Sequence, residues 1–236
     1  MLLVTRVEKE KTALSSTMDL HIIHTQILET SAEAVRTEID TMYDLISSRT
    51  DVEGCQVVFL HLGVNYRGKK FHLEKCAYND ATFRVPDERG YQPQGVCILE
   101  SGELKSNSDS GNSTKKKTVH EFGKCFKTDL DLNTICSSLE DFNSQPVCVS
   151  NDPGRFVCNY TYCLSLDRSL HCMKNSKLND ESNGVGKQQA GYHSLFVHVP
   201  PFAVIDEDHQ FLFILEIMKM IQQQLSQGQD DLSDTN

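Results

Sequence analysis

Val57-Val58-Phe59-Leu60-His61-Leu62-Gly63 is a short apolar run, rich in β-branched residues and closed by a glycine. Such a run is a buried strand leaving a sheet at its C-terminal end. Upstream, Val35, Ile39, Met42 and Ile46 recur at helical spacing over residues 30–47. Thr30 and Glu33 stand as a capping box at the start of that helix. Downstream, Leu132, Ile135, Cys136 and Leu139 predict a helix over 130–140. Val147-Cys148-Val149 is a second strand, and Asn151-Asp152-Pro153-Gly154 is a turn. Asp152 is placed to cap a helix starting near Arg155. Ser194–Val199 is a third strand, stopped by Pro200-Pro201. A last helix is predicted from Asp206 to Leu225. Its apolar stripe is Phe211, Ile214, Leu215, Met218, Ile221 and Leu225, and Gly228 lies just past its end. Alternating strands and helices predict a three-layer α/β/α sandwich with a mixed, mostly parallel central sheet.

At 236 residues the chain suits one domain, 1–236. Two polar stretches, 101–120 and 172–191, read as surface insertions, and 228–236 as a disordered acidic tail. Lysines and arginines number 23 against 33 aspartates and glutamates, a net charge of −10. That balance repels phosphate backbones and disfavours nucleic acid as a partner. No apolar run reaches membrane-spanning length, and the opening Met1–Val4 is too short for a signal peptide. Nine cysteines are present, and no two have the Cys-x-x-Cys spacing of zinc ribbons or thioredoxin-type sites. They read as small core residues of a reducing compartment, and the expected location is cytoplasmic. No metal or cofactor is expected. Sequons at Asn112 and Asn159 then read as chance matches.

Three residues could carry chemistry. Cys158 follows a strand and a Pro-Gly turn, in or near the first turn of a helix. Unpaired N–H groups there favour an anion, and a thiolate is the nucleophile that amide cleavage needs. His198 interrupts an apolar strand at its C-terminal end, where open α/β sheets place their sites. Glu74, in Phe71-His72-Leu73-Glu74-Lys75-Cys76, could orient an imidazole. Each also has an ordinary reading: a core cysteine, a core histidine bonded to backbone, a surface glutamate paired with Lys75. Local features alone reach only an α/β domain with a candidate site at the strand ends.

Three blocks taken together resemble the pyroglutamyl-peptidase I family, and most its plant-type members. The first is His61-Leu62-Gly63-Val64-Asn65 with Glu74, Asn79–Asp87 and Gln92-Pro93. The second is Ser150–Tyr160, and the third is Ser194–Pro200. The resemblance covers roughly 18–100 and 127–226. It implies a cytosolic cysteine peptidase that removes N-terminal pyroglutamate (5-oxoproline) from peptides, with Glu74, Cys158 and His198 as its triad. It implies oxyanion or substrate-binding roles for Arg84, Phe156, Gly63 and Asn65, no metal or cofactor, and compatibility with a homo-oligomer. The family opens with a strand and a Gly-Phe-x-Pro-Phe-Gly loop that closes over the lactam ring. Here the first Phe is Phe59, so that loop is expected to be absent. A non-catalytic relative serving as a binding protein is the alternative. An unrelated α/β binding protein would require all three blocks to be coincidence.

Overall fold

The computed structural model describes residues 20–99, 120–143, 146–183 and 190–233. Among the described residues four helices, α1 (Ala32–Ser47), α2 (Leu132–Asn143), α3 (Val157–Asn183) and α4 (Glu207–Ser233), flank six strands. The strands are β1 (Gln56–Val64), β2 (Phe71–Glu74), β3 (Cys76–Tyr78), β4 (Cys125–Lys127), β5 (Val147–Ser150) and β6 (Gly191–Val199). The main sheet has the order β1-β6-β2-β5, and β3 and β4 form a separate antiparallel pair. β1 and β6 run parallel, as do β2 and β5, and β2 meets β6 antiparallel. The sheet is therefore mixed and mostly parallel, as expected from the sequence.

Strand alternation sorts the side chains into two cores. Leu73, Leu195, Val197 and Val199 point to one face, where they pack with Ile135 and Leu139 of α2 and Phe213, Ile214 and Ile217 of α4. Phe71 stacks on Phe213 at 3.7 Å between ring centroids. Each such ring contributes about 1.5–3 kcal/mol by burial. Val57, Tyr192 and Phe196 point to the other face, against Val35, Ile39 and Tyr43 of α1 and Tyr162 and Leu166 of α3. The polar strand residues His61, Ser194, His198, His72 and Glu74 share this second face. α3 covers it and brings the cysteine.

Several local expectations shift. α1 is capped by Ser31, whose hydroxyl accepts from the Ala34 N–H, and not by a Thr30/Glu33 box. Asp87, from a distant loop, accepts the Ala32 N–H at 2.9 Å, and Glu33 pairs instead with Arg89 at 3.0 Å. Asp152 holds the turn before α3, accepting from the Gly154 N–H, and does not cap the helix. α3 continues to Asn183, so residues 172–183 extend a helix and are not an irregular insertion. The stretch lacks apolar periodicity, and so carries no helix signal. α4 likewise passes through Gly228 to Ser233, which makes the acidic tail helical over 228–233. Residues 1–19, where the family's opening strand and loop would fall, most of the 101–120 stretch, and 184–189 lie outside the described residues. His120, at the edge of the first stretch, is docked against Asp167 at 3.1 Å. Among the described residues no helix is long and apolar enough to cross a membrane.

Candidate active site

His198 sits one residue before the end of β6, between Gly63 of β1 and His72 of β2 in the strand register. Glu74 ends β2 and faces Phe196 across the antiparallel pair. The two strands run in opposite directions with in-phase pleats, so Glu74 and His198 project from the same face one step apart. Their side chains meet: His198 Nδ1 lies 2.7 Å from Glu74 Oε1. The glutamate is 1 % exposed, which removes the reading of it as a surface residue paired with Lys75. The hydroxyl of Tyr162 on α3 donates to the Glu74 carbonyl at 2.8 Å and fixes the strand end against the helix.

Cys158 is the second residue of α3. Its backbone N–H is one of the first-turn donors that have no partner inside the helix. The chain reaches this point through Ser150 of β5 and a turn in which Gly154 takes φ +81°, a conformation that favours glycine. Asn159 clamps the helix start to β3. Its Oδ1 accepts from the Tyr78 N–H at 2.8 Å, and its Nδ2 donates to the carbonyls of Tyr78 and Asp80. That amide is buried and fully bonded, which closes the Asn159 sequon to modification. Arg155 reinforces the joint by pairing with Asp80 at 3.3 Å and lying over the Tyr78 ring.

So held, the Cys158 sulfur lies beside Gly63, the residue in register with His198, and close enough to the ring to raise its pKa. Nδ1 belongs to Glu74, so Nε2 is the ring nitrogen that Glu74 does not engage. Burial by itself would lower the His198 pKa. Hydrogen bonds to Cys158 and Glu74, and the charges of both, outweigh burial and raise it to about 9. The imidazolium is therefore the ring's form at neutral pH. Glu74 Oε2 has no hydrogen-bond partner among the described residues. A buried carboxylate with so few donors needs a cation beside it, and the imidazolium supplies one. His72, opposite His198, has its pKa lowered by burial first, and by the His198 and Lys70 charges. The site thus has one charged ring and a neutral neighbour.

The other sequence candidates lie at varied distances from this centre. Gly63 is in it: a Cβ built there would stand 3.2 Å from Cys158 Sγ. Asn65 lies just beyond the end of β1. Its N–H donates to the Val199 carbonyl, and its side-chain oxygen is taken up by the Arg67 N–H of its own turn. Phe156 precedes α3 and packs edge-on against Phe83 at 4.8 Å between centroids. Arg84 follows Phe83 on an exposed loop, and its guanidinium has no hydrogen-bond or ion-pair partner among the described residues. Asn159, Tyr162 and Phe196 are not singled out by the sequence. Their effects come through contacts between segments far apart in the chain, which no local pattern signals.

No family model matches the chain. It is 25% identical over 195 residues to pyroglutamyl-peptidase 1 of Rattus norvegicus, covering 82% of this chain and 68% of that protein. It is 28% identical over 135 residues to a pyrrolidone-carboxylate peptidase of Lactobacillus johnsonii, covering 55% and 52%. Among solved structures, the pyrrolidone carboxyl peptidase of Thermococcus litoralis aligns with a TM-score of 0.57 at 19% identity, over 92% of this chain and 88% of that one. A variant of the Pyrococcus furiosus pyrrolidone carboxyl peptidase aligns with a TM-score of 0.62 at 15% identity, over 91% and 90%. The chain is thus similar in sequence, along most of its length, to pyroglutamyl-peptidase 1, and it shares the fold of the pyrrolidone carboxyl peptidases over nearly all of it.

Proposed function

We propose that the chain is a cysteine peptidase that removes N-terminal pyroglutamate from peptides, with Cys158 as nucleophile. The observation that carries the reading is the His198 ring, held at 2.7 Å by buried Glu74, with the Cys158 sulfur close enough to raise the ring's pKa. In this reading the Cys158 thiolate attacks the carbonyl carbon that joins pyroglutamate to the next residue. The oxyanion is met by the Cys158 N–H at the α3 N-terminus, with the unpaired cation of Arg84 as the second candidate donor. His198 passes its Nε2 proton to the leaving nitrogen as the C–N bond breaks, which frees the shortened peptide and leaves a thioester. The now neutral ring takes a proton from water, hydroxide adds to the thioester, and pyroglutamate leaves. The proton ends on His198, and the thiolate–imidazolium pair is restored. Glu74 keeps the ring oriented and its charged form favoured throughout. Phe156, Gly63 and Asn65 are assigned to the walls around the lactam. A thiol nucleophile, and nine cysteines none of which is in a disulfide, suit a reducing compartment such as the cytoplasm.

The test is hydrolysis of a pyroglutamyl-aminoacyl fluorogenic substrate beside its prolyl counterpart, which has the five-membered ring but a cationic amine in place of the lactam amide. The pyroglutamyl compound should be cleaved and the prolyl compound spared by at least about 10²-fold. That ratio corresponds to a few kcal/mol lost by an unpaired or wrongly charged group in a closed site. Equal rates on both, or cleavage of neither, would remove the substrate assignment.

A further inference from the structure

We infer that Gly63 is a positioning residue: the absent side chain at the end of β1 is the space in which the Cys158 sulfur and the Phe196 ring are seated. This rests on the reading of Cys158 as nucleophile. Among the described residues five glycines have a positive φ that favours glycine, and Gly63 is not one of them. Its backbone is that of an ordinary strand residue, within β1 and in register with His198. What excludes a side chain is space. A Cβ at position 63 would lie 2.6 Å from Cζ and 2.9 Å from Cε1 of Phe196, and 3.2 Å from Cys158 Sγ. Carbon atoms in contact prefer about 3.5–4.0 Å. One of these groups must therefore move.

The ring has little room to do so. Phe196 is 3 % exposed. Its centroid lies 5.0 Å from that of His198, 5.9 Å from Tyr162 and 6.2 Å from His61. Any tilt away from β1 presses it on the catalytic histidine or on the tyrosine that holds Glu74. The sulfur, 3.2 Å from the same Cβ position, would have to leave its place beside the residue in register with His198. A methyl group at position 63 thus disturbs the thiol–imidazole contact by both routes, without touching either partner's own chemistry. Side-chain loss is what the sequence would show as a strand-terminating glycine.

The test uses Gly63→Ala, Phe196→Leu and the double variant. The readouts are the iodoacetamide labelling rate of Cys158 by peptide mapping, with kcat and KM on the pyroglutamyl substrate. Gly63→Ala should label roughly tenfold more slowly and lose kcat by at least about tenfold, since displacements of about 1 Å cost on the order of 10²-fold. KM is expected to rise as well, since Gly63 also lines the lactam wall, so the labelling rate, which involves no substrate, is the deciding readout. Phe196→Leu removes the two closest ring atoms, so the double variant should label within about threefold of Phe196→Leu alone. A folded Gly63→Ala that labels at the parent rate overturns the inference, as does a double variant as slow as the single one. If Gly63→Ala does not fold, the double variant decides: a folded, readily labelled protein supports the inference, and an unfolded one overturns it. Labelling needs no substrate. A parent that labels fast and cleaves nothing would remove the substrate assignment and leave this inference intact. A parent Cys158 no faster than a buried thiol removes both.

Discussion

Cys158→Ala should cut pyroglutamyl-peptide cleavage by roughly 10⁴-fold or more, since the loss of a covalent nucleophile removes the reaction path and not one contact along it. The fold should survive. The side chain is only half-buried and alanine is smaller, so the cost in stability should be about 1 kcal/mol or less. Helix α3 stays clamped by Asn159 and Arg155, neither of which touches the sulfur. A second effect accompanies the first. Cys158 is one of the two groups that raise the His198 pKa, so the variant's ring should titrate below the parent value of about 9. Unchanged circular dichroism, absent turnover and a lowered His198 titration together are the expected signature. A variant that retains activity would put the nucleophile elsewhere.

Glu74→Gln should lower kcat by on the order of 10²–10⁴-fold while KM changes little. The substitution keeps the shape and removes the charge. The carboxamide that replaces the carboxylate can still accept from Nδ1, but it equally presents an N–H to the ring and can trap the wrong tautomer. The pH profile gives the sharper readout. His198 is raised above its ordinary value, so the imidazolium to which the proposed mechanism gives the leaving-group proton transfer is present at neutral pH. It is lost as pH rises through about 9. The parent's rate should therefore fall on the alkaline side near pH 9. Glu74 contributes to raising that value, so removal of its charge should move the alkaline limb to lower pH. An unmoved limb would mean that the carboxylate does not set the charge of the ring.

The parts of this site differ in how far the sequence reveals them. The strand end that carries His198 is legible because Leu195, Phe196, Val197 and Val199 form an apolar run stopped by two prolines. The start of the nucleophile's helix is legible because a Pro-Gly turn announces it. Glu74 is ambiguous locally. Phe71 and Leu73 face one core, while His72 and Glu74 face the other, and only pairing with β6 shows that the second face is closed. That pairing joins residues more than a hundred positions apart. Asn159 reads in the sequence only as a chance sequon, and its role as a clamp shows once its partners on β3 are seen. Residues 172–183 give no apolar period, and α3 carries its helix through them regardless. The helical tail past Gly228 is of the same kind, since one glycine weakens a helix by about 1 kcal/mol and does not by itself end it. In α4 the sequence stripe includes Phe211, Ile214 and Ile221, all of which are buried. It misses Phe213 and Ile217, which are more deeply placed than its Leu215 and Met218.

The most direct measurement of the central claim is to trap the acyl-enzyme. With a pyroglutamyl aryl ester, acylation should outrun hydrolysis of the thioester, so the intermediate should accumulate. Acid quenching followed by peptide mapping should find a single pyroglutamyl group on Cys158, released by hydroxylamine and absent from Cys158→Ala. Turnover without that adduct, an adduct on another cysteine, or an unmodified Cys158 in a protein that hydrolyses nothing would contradict the assignment of this thiol as the peptidase nucleophile.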